Sequence, residues 1–517
     1  MSGLPRAIGA ILQADLRQRL RSPRFWIVLV ALGAAMWWCF PAANADFLTM
    51  SVGDGMRGRY SSAWIGMVVA LMYSSLLSLA GFYLVRGTVV RDLETRAWQL
   101  LVATTMRRSA YLLAKWLSHL AVFVALLAVG LGVGLVAQLV RAEDLRIDVI
   151  ELAKPVVFLT LPSLALTAAL AVWFDLVPWL RRSLGNIAFF VLWLALLGVG
   201  VSQAEQAPGA ALPWPGDPHG LLVAEYDLSR AWPSIDAGKE LGLSVGKQML
   251  EGKAPVLLTW NAWPLTCAML QARATWLLLG FVLVLSATPL LDRFAANAAV
   301  RAVADNGGAR LRWLDALLAP LQRSAFGALI AAEVRLVLRP RRWWWWLAMF
   351  AAFATQVFAP EKGLVFAMVA AWVLSMDVYS RLAFRERDTN TAALVFTAAG
   401  MRGRLLAART TICVGLAWCV VAPAIVRLLA THPAAGIAAI VAGASVALWG
   451  LGFGALFRNA RPYEIVLLMA GYVSVQGALV LDVVSAPMTT LAWHAALLPA
   501  ALALLVGAWW HTVTARA

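Results

Sequence analysis

Gly9-Ala-Ile-Leu-Gln-Ala-Asp-Leu-Arg17, running on to Arg24-Phe-Trp26, returns 318 positions later as Gly327-Ala-Leu-Ile-Ala-Ala-Glu-Val-Arg335, running on to Arg342-Trp-Trp344. The two stretches match without a gap, both are basic and amphipathic, and both immediately precede an apolar run. Such a repeat means two related halves in one chain, and doubling of this kind is the architecture of membrane transporters. In the first copy Ile8, Leu12, Leu16 and Leu20, with Ile11 beside them, share one helical side, while Arg6, Gln13, Arg17 and Arg21 take the others. That pattern suits a helix lying in the membrane interface with its arginines toward headgroups. A cytoplasmic extension of the first span fits it as well.

Composition agrees with a membrane setting. Of the 517 residues 62% are hydrophobic and 14% charged, and the mean hydropathy of +0.76 lies outside the soluble globular range. The formal charge of +16 is spread over alternate loops: Arg17 to Arg24, Arg86 to Arg108, Arg181-Arg182, Arg293 to Arg342, Arg381 to Arg409, and Arg458 with Arg461. Alternation of this kind is the positive-inside pattern and sets these loops on the cytoplasmic side. No basic stripe interleaves with aromatics on a soluble domain, so nucleic acid is not an expected partner. Membrane lipid is.

The fold class expected is an all-α membrane protein with about twelve transmembrane helices in two parallel six-helix repeats, each led by an amphipathic connecting helix. The expected spans are 25–40, 63–85, 111–140, 156–180, 187–201 and 274–291, then 343–358, 364–382, 405–429, 436–457, 463–483 and 491–510. Residues 1–291 form the first half, 292–326 a cytoplasmic linker and 327–517 the second half. Both termini fall in the cytoplasm and the chain in the inner (cytoplasmic) membrane. Ala42-Ala-Asn-Ala45 resembles a signal cleavage site, but recurrence of the same helix and span in mid-chain favours a retained first span. The halves differ at 202–273, a Pro/Gly-rich extracytoplasmic segment too small for a large core of its own. It caps the outer mouth, with Trp214, Trp232, Trp260 and Trp263 expected at the interface. Cys39 and Cys267 both lie near outer span ends, which leaves a disulfide or two separate buried thiols open, the latter fitting better.

A second duplicated pattern follows the second span of each half. The first copy reads Arg91-Asp-Leu-Glu-Thr-Arg-Ala-Trp-Gln-Leu-Leu-Val-Ala-Thr-Thr-Met106-Arg107, continuing to Tyr111-Leu-Leu-Ala-Lys115. The second reads Arg387-Asp-Thr-Asn-Thr-Ala-Ala-Leu-Val-Phe-Thr-Ala-Ala-Gly-Met401-Arg402, continuing to Leu405-Leu-Ala-Ala-Arg409. An Arg-Asp start, a short amphipathic helix and a Thr-bearing turn before the next span resemble the permeases of ABC-2 type (type V, ABCG-like) exporters. The resemblance implies that this cytoplasmic loop is a coupling helix docking into a groove on an ATPase subunit. The contacts it implies are Arg91, Asp92, Glu94, Trp98, Leu101, Thr104 and Arg107 in one half. In the other they are Arg387, Asp388, Thr397, Met401 and Arg402. The second copy departs from the first where Thr389-Asn390 replaces Leu93-Glu94.

The chain has no Gly-x-x-x-x-Gly-Lys-[Ser/Thr] loop to cradle phosphates. It therefore cannot hydrolyse ATP by that route, and the resemblance implies a permease rather than an enzyme. It binds no cofactor of its own, and ATP and Mg are expected on separate partner ATPase subunits, two copies by symmetry. The family resemblance lines the translocation path with spans two and five of each half. Tyr73, Ser74 and Ser78, with Met368, Trp372, Met376 and Gln476, are then candidate path residues, suited to an amphipathic lipid, peptide or natural product. Small and hydroxylated residues also serve close helix packing at such positions. Buried ionisable groups stand out at His119, Asp175, Asp377, Arg427, Glu464 and His494, and an Arg427–Asp482 pair is conceivable. Two other classes compete. A proton-coupled secondary transporter would carry acids at mid-membrane, and a membrane-embedded lipid-modifying enzyme would need converging carboxylates or metal ligands.

Overall fold

In the computed structural model the described residues are 4–21, 23–42, 45–53, 55–94, 107–181, 183–206, 214–228, 231–232, 242–250, 252, 254–291, 312–341, 343–475 and 479–513. They divide into two compact units, Met1–Arg301 and Ala302–Ala517.

The first unit opens with α1 (Leu4–Leu20) and α2 (Pro23–Trp38), followed by strands β1 (Phe47–Val52) and β2 (Met56–Gly58). Ser61 caps the next helix by accepting from Trp64 N. That helix runs through α3 (Ser62–Met72), a π-helical turn at Tyr73–Leu77 and α4 (Ser78–Val85), then α5 (Thr88–Glu94). A long helix, α6 (Arg108–Arg141), ends on Ala142 in the left-handed region. α7 (Val149–Pro155) leads through a second π turn, Val156–Thr160, into α8 (Leu161–Leu176), and α9 (Ser183–Gln206) follows. The unit closes with α10 (Leu221–Leu228), β3 (Leu243–Met249), β4 (Val256–Leu258) and α11 (Cys267–Ser286).

The two π turns are explained by their partners. A π turn leaves backbone carbonyls out of the regular ladder, and these need other donors. Trp193 Nε1 donates to Ser75 O at 3.0 Å, and Ser163 Oγ to Ser74 O at 3.3 Å. At the second turn Pro155 and Pro162 supply no N–H. The buried Arg273 guanidinium donates to Leu159 O at 2.8 Å there, and also to Asp217 O at 2.7 Å and Pro218 O at 2.9 Å. α11 is thereby tied both to the π turn and to the segment ahead of α10.

The second unit contains α12 (Arg312–Leu318), a 3-10 turn at Pro320–Arg323, α13 (Ala325–Leu338), α14 (Trp343–Phe358) and α15 (Glu361–Arg381). Two short helices follow, α16 (Arg385–Asp388) and α17 (Ala392–Val395). Then come α18 (Met401–Cys419), α19 (Ala422–Thr431), α20 (Pro433–Phe457), α21 (Arg461–Val475), α22 (Pro487–Ala508) and a π turn at Trp509–Val513. α15 and α20 approach so closely that a Cβ on Gly454 would lie 2.0 Å from Ser380 O, so only glycine fits there. α12 lies within the expected linker 292–326, and its Leu314 and Leu318 pack on Ala331, Val334 and Leu338 of α13.

Among the described residues seven helices are long and apolar enough to cross a membrane, which makes the chain a membrane protein by length and composition. They are Ser62–Asp92, Arg108–Arg141, Val149–Leu176, Cys267–Leu291, Gly363–Arg381, Pro433–Phe457 and Pro487–His511. The expected span 405–429 is broken: α18 and α19 meet at 63°. Pro423, in the first turn of α19, offers no N–H to continue the helix. Gln356 of α14 serves both lips of the break, donating to Val420 O at 3.1 Å and accepting from Ala424 N at 3.3 Å. The four remaining expected spans form α2, α9, α14 and α21. α2 and α14 have 16 residues each, a rise of about 24 Å against the roughly 30 Å of hydrocarbon. α21 has 15 residues, and the apolar part of α9 is Leu184–Gly200.

The 202–273 segment does not stand alone. β1, from the loop after α2, pairs antiparallel with β3, and β2 pairs parallel with β4. Arg57 of β2 then grips Glu143 beyond α6 by two hydrogen bonds of 2.8 and 2.5 Å, while Tyr60 N donates to the same carboxylate at 3.0 Å. Burial opposes the Glu143 charge, but the Arg57 and Tyr60 bonds outweigh it and hold the carboxyl below its usual range. Trp260 and Trp263, expected at the interface, are buried inside this assembly, and Trp64 meets Trp260 edge-on at 6.1 Å. Trp214 is exposed. All four cysteines are free, with Cys39 half-buried and Cys267 exposed rather than buried.

Candidate coupling site

α5 begins where Gly87, at φ +89°, turns the chain out of α4. The Asp175 carboxylate caps the new helix, accepting from Gly87 N at 2.9 and 2.8 Å and from Val89 N at 3.3 Å. Arg86 Nε stands 3.9 Å from the same carboxylate and its guanidinium also reaches Asn186 and Leu180 O. Thr88 Oγ1 bonds His119 Nε2 at 2.9 Å. The direction of α5 is thus fixed from α4, α6 and α8.

The centre of this arrangement is Lys115, two turns into α6 and almost wholly buried. Its ammonium lies 2.9 Å from Asp15 of α1 and 2.8 Å from Asp92 of α5, and Tyr111 Oη donates to Asp92 at 2.9 Å. One cation joins the amphipathic helix, the segment after α4 and the start of α6.

The second unit builds the same joint from different side chains. Arg409 of α18, fully buried, donates to Glu386 of α16 and lies 3.6 Å from Glu333 of α13. Arg385 adds bonds to Glu333 at 2.6 Å and to Glu386 at 3.3 Å. Burial pushes the Glu386 carboxyl up, yet the Arg409 bond and the charges of Arg409 and Arg385 prevail and hold it below its usual range.

These joints correct the register of the second repeat. Glu333 sits 318 positions after Asp15, Arg409 sits 294 after Lys115, and Glu386 sits 294 after Asp92. The counterpart of Arg91-Asp92 is therefore Arg385-Glu386, not Arg387-Asp388. Asp388 is exposed, and Arg387 is half-buried with its guanidinium pKa lowered by burial and by Arg458. In the corrected register Arg107 matches Met401, and Arg108 matches Arg402.

The other expected coupling residues fall variously. Arg91 and Asp92 are half-buried and Arg107 exposed. Glu94 ends α5, while Trp98, Leu101 and Thr104 lie outside the described residues, as does Gln476. In the second unit Thr397 is exposed, and Met401 and Arg402 are half-buried at the start of α18. Leu394 of α17 is 78% exposed, while Phe396 turns inward onto Trp509, ring centres 6.0 Å apart. That segment presents one bare leucine from an anchored backbone.

The candidate path residues are buried within their own units. Tyr73 covers Gly130 of α6 so closely that a Cβ there would meet its ring at 2.4 Å. Ser74, Ser78, Met368 and Met376 are buried, and Trp372 Nε1 donates to Ala417 O at 3.1 Å. All six positions are packed between helices. Asp377 pairs with Arg341 at 3.0 Å. Arg427 bonds Ala359 O at 2.6 Å rather than Asp482, which instead caps Val484 N and Ser485 N at 3.0 Å each. Among the described residues no three His, Cys, Asp or Glu gather to hold a metal ion.

In the sequence Lys115 and Arg409 mark only the ends of the duplicated pattern, and Asp15, Glu333 and Glu386 stand without a role. The signal was present in the repeat: each amphipathic helix places an acid at the same position, and α6 and α18 each place a base about two turns from their start. Comparison with protein-family models, curated proteins and solved structures finds no match for this chain.

Proposed function

We propose that this chain is the membrane permease of an ATP-driven exporter of ABC-2 type, powered by separate ATPase subunits. The observation that carries the proposal is the joint made twice, Asp15–Lys115–Asp92 and Glu333–Arg409–Glu386. A buried cation held by two carboxylates ties the loop after a membrane helix to the amphipathic helix and to the next membrane helix. A force applied to that loop then moves three elements together. Two such levers, one per unit, suit a motor of two equivalent subunits.

In this reading the termini and both levers face the cytoplasm, as the distribution of arginines favours. The twelve apolar segments act as two parallel sets of six, with α2 and α14 crossing where the amphipathic helices α1 and α13 extend them into the interface. Arg91, Asp92, Arg107, Leu394 and Thr397 are the docking surface. Tyr73, Ser74, Ser78, Met368, Trp372 and Met376 meet cargo only where packed helices part, and the cargo is amphipathic.

The test is affinity purification of the full chain from its native membranes in mild detergent. An ATP-binding chain with a Gly-x-x-x-x-Gly-Lys-[Ser/Thr] loop, retained in near-stoichiometric amount and hydrolysing ATP, is the expected result. Purification of the chain alone, with lipid or small-molecule transport driven by a proton gradient and indifferent to ATP, would replace this reading with the secondary-transporter one.

A further inference from the structure

Leu314 and Leu318 of α12 face α13, but the same segment turns a second apolar row the other way. Trp313, Leu317 and Leu321, spaced four apart through α12 and the 3-10 turn, are 52%, 66% and 41% exposed. A helix apolar on two sides is stable only when both sides are covered. One side is covered by α13, and the other continues an exposed apolar surface on α14.

That continuity is specific. The Trp313 ring meets Trp346, in the first turn of α14, edge-on at 5.5 Å. α14 itself, an expected span, exposes Trp343, Leu347 and Phe350 along one side, so an unbroken apolar face runs from it onto α12. Tryptophans gathered where a membrane helix begins mark the headgroup boundary. The charges fit an anionic surface. Asp315, the acid of α12, is held by Arg335 at 2.8 Å and Arg339 at 3.0 Å, and these bonds keep its carboxyl below the usual range. Arg323 is exposed at the end of the row, and Arg310 and Arg312 precede it in sequence.

We propose that residues 312–323 are an in-plane membrane anchor, with Trp313, Leu317 and Leu321 inserted at the acyl boundary of an anionic leaflet and Arg323 among its headgroups. The anchor would fix α13, and with it Glu333 of the second joint, at a set depth. It depends on the membrane setting of the chain and not on an ATPase partner.

The experiment places a benzophenone amino acid at position 317 of the full chain, and separately at exposed Asn390. Each protein is reconstituted in nanodiscs of phosphatidylcholine with or without phosphatidylglycerol, illuminated and examined by mass spectrometry. Phospholipid adducts at 317 and not at 390, with a yield that rises about twofold with the anionic lipid, are expected. An Arg323→Glu variant with an unchanged gel-filtration profile should lose that rise. Adducts at 317 only to protein, or none, would overturn the anchor. Equal yields in both lipid mixtures would overturn its anionic preference.

Discussion

Lys115 and Asp15 are 100 residues apart in sequence and meet at 2.9 Å in a setting where both are buried. Neither could be left there alone, since an unpaired buried charge costs more than the pair contributes. The pair therefore locks α1 to α6 and, through Asp92, to α5. Lys115→Met leaves two carboxylates facing each other and is expected to destabilise the first unit by about 3–5 kcal/mol. Lys115→Arg should recover most of that, because the second unit uses arginine at the same place. Thermal unfolding in detergent reads both; equal stability of Lys115→Met and the parent would contradict the role given to the joint.

Gln356 closes the break between α18 and α19 by bonding on both sides of it. Gln356→Leu keeps the side chain's bulk and removes both bonds, leaving Val420 O and Ala424 N without partners in a buried place. A loss of about 1–3 kcal/mol is expected. Hydrogen exchange at 418–424 should rise while that of α20 stays unchanged, and a uniform rise across the unit would show that Gln356 does not act locally.

The segment between α9 and α11 holds two groups with opposite pH behaviour. Burial lowers the His219 pKa to about 4, with Asp217 pulling it up and Arg273 pushing it down. Its folded value lies below the unfolded one, so stability is lost as pH falls from about 6.5 toward 4. Burial raises Asp227 to about 6. Its protonated form is favoured on folding, so its contribution is lost as pH rises from about 4 through 6. The two slopes offset each other in wild type. His219→Gln should make the protein relatively more stable toward acid, and Asp227→Asn should steepen the loss toward acid. Melting temperatures between pH 4 and 7 check this, and parallel profiles for the two variants would refute it.

Leu394 is bare on a backbone fixed by Phe396 and Trp509. Leu394→Asp should leave unfolding within about 0.5 kcal/mol of wild type, as exposed substitutions do. It should weaken retention of the partner ATPase at least about tenfold, because a charge in an apolar contact is left without a partner. A variant that keeps its ATPase would remove Leu394 from the docking surface.

How much of this was legible in sequence depends on the scale of the interaction. The repeat of Gly9–Arg17 in Gly327–Arg335 was plain because it is contiguous. The register of the second repeat was not, because Arg385-Glu386 and Arg387-Asp388 are both base–acid pairs two positions apart. Only burial against Arg409 separates them. Apolar runs at 25–40 and 343–358 were visible, but hydropathy does not report where α2 and α14 stop. The pairing of β1 with β3 joins short strands nearly two hundred residues apart, with no local pattern to announce it. Trp260 and Trp263 were misplaced for the same reason: Trp260 meets Ser61 and Trp64, and Trp263 meets Glu151 and Lys154, all of them a hundred or more residues away.

The most direct measurement is native mass spectrometry of the complex extracted from its own membranes. One copy of this chain with two copies of an ATP-binding subunit is expected, with loss of both copies when Leu394→Asp is combined with charge reversal at exposed Arg107. A chain that flies alone or with itself, and whose transport runs without ATP, would contradict it.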